Sequence, residues 1–220
     1  MTLFIVATPI GNLEDITLRA LETLKKVAKI YCEDTRRTKV LLNRYEIKTP
    51  LDSFHQHTPG KITGIVNELL AGTEIAYVTD AGTPGIQDPG GQLVAAARSA
   101  GVRVVPIPGV SAVTALLSVA GLPADSFWFV GYLPTKKGRQ TLLKKIIASD
   151  ETVVLFETGP RFGRLLRELE GLGGSQKHLV VGRELTKKFE EVVVGSPAEL
   201  ADYFTTPPKG EFVIALATGI

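Results

Sequence analysis

Acidic and basic side chains gather at three points of the chain. Residues 32–38 read CEDTRRT, residues 156–162 read FETGPRF, and residues 182–191 read GRELTKKFEE. Each follows or closes a run of β-branched and aromatic residues, so each is a strand that ends in exposed charge. In open α/β sheets, ligands collect outside the carboxyl ends of the strands. The three exits, at 33, 157 and 183, are therefore read as lining one cavity. Arg36 and Arg37 lie near the first turn of a helix and face a polyanion in this reading. A guanidinium suits phosphate because its planar fork donates two parallel hydrogen bonds. The stretch KKGRQTLLKK (136–145), led by Lys136 and Lys137, adds five basic residues and no acidic one. Local ion pairing and a solvated helix face account for the same charges without any ligand.

A second kind of site is made of small residues. VTDAGTPGIQDPG (78–90) leaves an apolar strand and enters a loop with Gly82, Gly85 and Pro84, followed by a second turn cluster at Asp88-Pro89-Gly90. Glycine permits positive φ or close backbone approach, and proline stiffens the loop. A second loop of this character, PIPGVSAV (106–113), follows the next strand. Neighbouring loops of this kind suit a flat ligand gripped by backbone groups. Familiar nucleotide signatures are missing: there is no G-x-G-x-x-G after the first strand and no P-loop. G-x-S-x-G, the mark of a nucleophile elbow, is also missing. His55 and His57 share a strand face in principle, but no third ligand is near in sequence, and no metal is expected. Cys32 is the single cysteine, which excludes an internal disulfide.

The elements that must carry these loops alternate. LFIVA (3–7), IYCE (30–33), EIAYVT (74–79) and VRVVPI (102–107) read as strands, with a helix capped by Asp15 or Thr17 and running to about Ala28, and helices over 35–45, 59–70 and 91–101, between them. Thr35 is the expected cap of the second helix. This is an α/β unit with a mostly parallel sheet. A small-residue helix after Ser111 leads into a second unit. Its strands are expected at 126–133, 152–157, 178–185, 189–195 and 211–217, its helices at 138–148, 161–170 and 197–204. The close pair 178–185 and 189–195 is a hairpin, so this sheet is mixed. Two α/β domains, 1–112 and 113–220, with a ligand cleft between them, are the expected architecture. Hydrophobic residues make up 44% and the net charge is +2, ordinary for a soluble protein. No apolar run reaches the roughly 18 residues of a membrane span. The opening MTLFIVATPIGN has no basic leader, and a cytoplasmic location is expected.

VATPIGNLEDITLRA, CEDTRRT, VTDAGTPGIQDPG, PGVSA, the GYLP and KKG pair, RELTKKFEE and KGEF together resemble the tetrapyrrole-methylase superfamily of S-adenosylmethionine-dependent methyltransferases. They are most similar to its branch that methylates the ribose 2′-hydroxyl of a cytidine in the decoding region of small-subunit (16S) ribosomal RNA. The resemblance covers nearly the whole chain. It implies S-adenosyl-L-methionine between the two domains, a homodimer, and small-subunit ribosomal RNA within the assembled subunit as partner. It places Pro9, Ile10, Gly82, Thr83, Ile86, Ser111, Ala112, Phe156 and Ile214 at the cofactor. Arg36, Arg37, Lys136, Lys137, Arg161 and Arg183 become the RNA contacts. Removing the ribose proton needs a base, typically worth about 100- to 10,000-fold. Asp80 and Glu184 are the candidates, with Lys187 behind them if burial lowers its pKa. Where the family often has Pro-His-Arg, this chain has Gly159-Pro160-Arg161, so no histidine role carries over. The chain ends soon after KGEF, which leads to the expectation that RNA affinity rests on the core and the dimer partner. A tetrapyrrole or other small-molecule methyltransferase, or a non-catalytic RNA-binding protein of the same fold, are the alternatives.

Overall fold

A computed structural model describes residues 1–54, 60–206 and 209–218. His55 and His57 lie outside the described residues. The chain divides into two compact units, Met1–Ser111 and Ala112–Ile220.

The first unit holds strands β1 (Thr2–Val6), β2 (Lys29–Cys32), β3 (Leu51–Ser53), β4 (Ile75–Val78) and β5 (Arg103–Ile107). Helices α1 (Leu18–Lys26), α2 (Thr35–Arg44), α3 (Lys61–Leu70) and α4 (Gly90–Ser99) alternate with them. The strands pair in parallel in the order β3-β2-β4-β1-β5. Successive strand residues point to opposite faces, and both faces are apolar, as a sheet covered on both sides requires. Val6, Ile30, Cys32, Ala76 and Val78 meet Ala20 and Leu24 of α1 and Leu42 of α2. Leu3, Tyr31, Ile75 and Tyr77 meet Ile65 and Leu69 of α3 with Leu93 and Ala97 of α4. Thr17 caps α1, its hydroxyl accepting from the Ala20 amide at 3.1 Å. The cap of α2 is Asp34, one residue before the expected Thr35, because its carboxylate accepts from the Arg36 amide at 2.8 Å. Strand β3 has no counterpart in the sequence reading; three half-buried residues, Leu-Asp-Ser, carry no alternation long enough to read.

The second unit begins with α5 (Ala112–Ala120) and continues with β6 (Phe127–Tyr132), α6 (Arg139–Ile147), β7 (Thr152–Thr158) and α7 (Gly159–Gly171). It ends with β8 (Lys177–Arg183), β9 (Glu191–Gly195), α8 (Pro197–Tyr203) and β10 (Glu211–Thr218). The sheet order is β6-β7-β10-β8-β9. β6 and β7 are parallel and the other neighbours antiparallel, the mixed sheet expected from the β8–β9 hairpin. One face buries Leu155, Val181 and Ile214 with Leu143 of α6 and Phe162, Leu165 and Leu169 of α7. The other buries Val154, Val180, Val213 and Ala215 with Val113 and Leu116 of α5.

Candidate active site

The parallel sheet of the first unit has its switch point at the adjacent strands β1 and β4. The helix that follows β1 packs on one face and the helix that follows β4 on the other. The chain thus leaves in opposite directions, and the crevice outside the two strand ends is where such sheets bind ligands. The loop after β1, which carries Pro9 and Ile10, and the expected loop after β4 open there and are pinned to each other. The Thr8 amide donates to the Gly82 carbonyl and the Gly82 amide to the Thr8 carbonyl, each at 2.9 Å. The Thr8 hydroxyl donates to the Thr79 carbonyl at 3.2 Å. The loop after β5 joins them: the Thr83 hydroxyl donates to the Val110 carbonyl at 3.1 Å, and the Ala7 amide to Ile107 at 3.1 Å.

Two glycines make this junction possible. Gly82 stands at φ +79°, and a Cβ on it would lie 3.4 Å from Ile10 Cγ2 and 3.7 Å from the Val110 carbonyl oxygen. A Cβ on Gly109 would approach that of Ala7 to 3.0 Å. Three backbones therefore meet at van der Waals distance. Pro9 is buried, Ile10 and Thr83 half-buried, and Ile86 remains 45% exposed, a large apolar side chain held out on the loop. Asp88, to which no role was assigned from sequence, holds that loop in shape. Its Oδ2 accepts from the amides of Gly85 at 2.7 Å and Ile86 at 3.1 Å, and its Oδ1 from Gly90 at 2.7 Å. The Tyr77 hydroxyl also donates to it at 3.4 Å. An aspartate one to three residues from glycine amides was the available signal.

Asp80 leaves β4 beside this cradle and ties it to the exit of β2. Its Oδ1 accepts from the Asp34 amide at 2.9 Å, and its Oδ2 faces Arg37 at 3.5 Å. Glu33 completes the link, accepting from the Thr79 hydroxyl and from the Asp80 amide at 3.3 Å. Arg36 clamps Asp34 with two bonds of 3.1 and 2.7 Å while its side chain stays 90% exposed. That pairing holds the Asp34 carboxyl well below the usual carboxylate range.

In the second unit, Glu157 and Arg183 end strands that flank β10, both in register with Phe212. These two charged exits thus reach the same end of the sheet. Glu157 and Arg139 are fully buried, at 0% and 1% exposure. Five charges form a chain there. Arg161 pairs with Glu157 at 3.1 Å, Glu157 with Arg139 at 3.4 Å, Arg139 with Glu168 at 2.7 Å, and Glu168 with Arg164 at 2.9 Å.

Several expectations change here. Arg161 also donates to the Leu133 carbonyl, and Arg183 pairs with Glu191 at 2.6 Å and donates to the Lys209 carbonyl at 2.8 Å. Both arginines hold protein groups and are about one-quarter exposed, whereas Arg36, Arg37, Lys136 and Lys137 are exposed. Phe156 and Ile214, expected on one surface, stand on opposite faces. Phe156 lies half-buried on the α5 face beside Phe129 and Tyr132, and Ile214, paired in register with Leu155, is fully buried on the other. Period-two alternation requires this once the register is set. Ser111 and Ala112 are half-buried at the start of α5.

Lys187 is no latent base. Burial pulls its ammonium down, but hydrogen bonds to Glu211 at 2.9 Å and Glu184 at 3.0 Å outweigh it, and its pKa rises. Glu184 moves oppositely: burial raises it, yet the Glu211 amide and Lys187 leave it lowered. The two pairs hold a connection in which Glu184 and Thr186 stand at φ +49° and +67°. The contribution of Glu184 is present above its ordinary value of 4.5 and lost as pH falls through its lowered one. That of Lys187 is full below its ordinary 10.5 and lost as pH rises through its raised one. Lys187→Met is therefore expected to lower stability by about 1 kcal/mol, a value for two partly exposed pairs. Urea unfolding of both proteins across pH checks it: the difference is flat between 4.5 and 10.5 and shrinks outside.

The sequence signature of the tetrapyrrole (corrin/porphyrin) methylases matches residues 2–201. The chain belongs to that family. A ribosomal RNA small subunit methyltransferase I from Mesorhizobium japonicum is 47% identical over 219 residues, 97% of this chain and 74% of the relative. The protein of that name from Synechocystis sp. is 45% identical over 218 residues, 98% and 78% of the two chains. The crystal structure of diphthine synthase matches with a TM-score of 0.72 at 16% identity, over 99% of this chain and 90% of that one, a likeness of fold. As a member of the methylase family this protein is an S-adenosylmethionine-dependent methyltransferase. The pinned loops of the first unit fit such a cofactor. Their floor is glycine at contact distance, and Ile10 and Ile86 offer apolar surface to an uncharged purine and the methylene groups beside its sulfonium. Among the described residues no group of three His, Cys, Asp or Glu side chains is placed to hold a metal. None of their helices is long and apolar enough to cross a membrane.

Proposed function

We propose that the protein methylates the ribose 2′-hydroxyl of a cytidine in the decoding region of small-subunit ribosomal RNA, acting on the assembled subunit in the cytoplasm as a homodimer. One observation carries this reading: 47% identity, across 97% of the chain, to a relative named ribosomal RNA small subunit methyltransferase I. When bound, S-adenosylmethionine supplies an activated methyl group, and the remaining task of the protein is alignment. Alignment contributes roughly 7–11 kcal/mol in favourable intramolecular cases. Pro9, Ile10, Gly82, Thr83 and Ile86 would hold the cofactor. The exposed Arg36, Arg37, Lys136 and Lys137 would hold the phosphates of a single strand, the form of RNA whose riboses can be splayed into a site.

Transfer of a labelled methyl group to unmodified small subunits, followed by alkaline hydrolysis, tests the reaction. A 2′-O-methyl group removes the nucleophile that cleaves the next phosphodiester, so label is expected in one alkali-resistant dinucleotide. Label on a base, or none with cofactor bound, overturns the reading. Sedimentation of the purified protein tests the dimer.

Reversing Arg36 and Arg37 to glutamate is expected to weaken RNA binding and spare cofactor binding. Each lost phosphate contact lowers the slope of log affinity against log salt by about 0.7 for a single strand, hence about 1.4 for the pair. Filter binding across a salt series measures it, and an unchanged slope removes both arginines from the RNA interface.

A further inference from the structure

The loop that carries Lys136 and Lys137 is held in an uncommon way. Four consecutive carbonyls, from Leu133 to Lys136, all accept hydrogen bonds, and the arginines of the buried charge chain make every one. Arg161 donates to Leu133 through its guanidinium. Arg139 donates to Pro134 at 3.3 Å through its guanidinium, and to Lys136 at 3.3 Å through its backbone amide. Arg164 donates to Thr135 at 3.2 Å. Gly138 closes the loop at φ +84° and caps α6.

Charge arithmetic gives this arrangement a direction. Three guanidinium groups share two carboxylates, Glu157 and Glu168, leaving one net positive charge beneath the loop. Three of the loop's acceptor oxygens, those of Leu133, Pro134 and Thr135, are turned onto those cations, while Lys136 and Lys137 stand exposed. The outward side of the loop is therefore a pair of ammonium groups with a further cation behind it, a surface that attracts anions. If the loop were only a connection, its carbonyls could be satisfied by water. An ion chain with two fully buried members, Arg139 and Glu157, is an expensive anchor for a surface loop, because each desolvated charge costs several kcal/mol before pairing.

We infer that residues 133–138 form a phosphate-gripping loop for the RNA strand, and that Arg139, Arg161 and Arg164 are positioning residues which fix its shape without touching RNA. This rests on the RNA reading above and adds to its Lys136–Lys137 contact the residues that position it.

The test uses the full chain, unmodified small subunits and the variants Arg164→Met, Lys136→Ala/Lys137→Ala, and the three combined. Arg164 is half exposed, so its replacement by a shorter unbranched apolar chain leaves the buried part of the network paired. Arg161→Met provides a second probe, and denaturation followed by Trp128 fluorescence reports whether each variant is folded. The lysine pair is expected to lower the salt slope by about 1.4. Arg164→Met is expected to raise KM for subunits about tenfold, with the loss in KM and not kcat, and with cofactor affinity by calorimetry unchanged. The decisive result is coupling: once both lysines are gone, Arg164→Met should cost no further affinity. Rescue by Arg164→Lys, which can still donate to Thr135, should be partial. Folded arginine variants with wild-type KM overturn the inference, as does full additivity with the lysine changes. If the lysine pair binds subunits as the unaltered chain does, the loop is not a contact and the inference also fails. Failure of the unaltered chain to bind subunits is a different result, which removes the RNA reading itself and the inference with it.

Discussion

Gly82→Val is expected to raise the dissociation constant for S-adenosylmethionine at least about 100-fold, roughly 2.8 kcal/mol, in a protein that still folds. The residue sits at φ +79°, where a β-branched side chain is strained by about 1–3 kcal/mol. Its Cβ would already touch Ile10, and the two branching methyl groups would have to find room between Ile10 and the Val110 carbonyl. The Thr8–Gly82 bridge and the Thr83–Val110 bond must give way, and with them the mutual position of three loops. The strands beneath are untouched, because Val6 and Val78 are packed by α1 and α2, which the loop does not hold. Gly82→Ala separates the two causes. It keeps the backbone strain but places only a Cβ at 3.4 Å, so a loss of about tenfold is expected. Calorimetric titration measures both, and thermal unfolding verifies the fold. Wild-type affinity in a folded Gly82→Val protein would remove these loops from cofactor binding.

Glu157→Ala is expected to destabilise the second unit by about 3–5 kcal/mol, the usual effect of stripping one partner from a buried ion pair. Glu157 is fully buried between Arg161 at 3.1 Å and Arg139 at 3.4 Å. Without it, Arg139 keeps Glu168 as its one carboxylate among the described residues, and its Nη2 already lacks a hydrogen-bond partner among them. Trp128 is the only tryptophan and packs on the core of this unit, so urea unfolding followed by its fluorescence reports the second unit specifically. The midpoint should fall steeply for Glu157→Ala and less for Glu157→Gln, which retains a hydrogen-bond acceptor. A loss under about 1 kcal/mol would mean that the arginines reach water when the carboxylate goes, and that the chain of charges is not a closed network.

Much of this protein is written in local patterns. Alternation of short apolar runs with helical periodicity marks two α/β units, because burial on one or two faces of an element depends on residues only a few positions apart. Gly82, Gly85 and Gly109 mark the loops for the same reason: turn conformation is a property of adjacent residues. The motif blocks from ATPIGN to KGEF carry the family. None of these needed a partner distant in sequence.

The remainder is decided by such partners. Sheet order sets β4 between β2 and β1, and only then do Thr8 and Gly82, 74 positions apart, come to exchange hydrogen bonds. Asp80 reads as a free carboxylate until β2 brings the Asp34 amide and Arg37 to it. Lys187 reads as a base in waiting until β10 supplies Glu211, and its two carboxylates reverse the effect of burial. Ile214 looks equivalent to Phe156 until the antiparallel register places it opposite Leu155 and so on the other face. Arg161 looks like an anion contact until Glu157 and the Leu133 carbonyl occupy it. In each case the sequence supplied a group with the right chemistry. What that group does depends on which distant group meets it, and sheet order and register decide that at the moment the chain closes on itself.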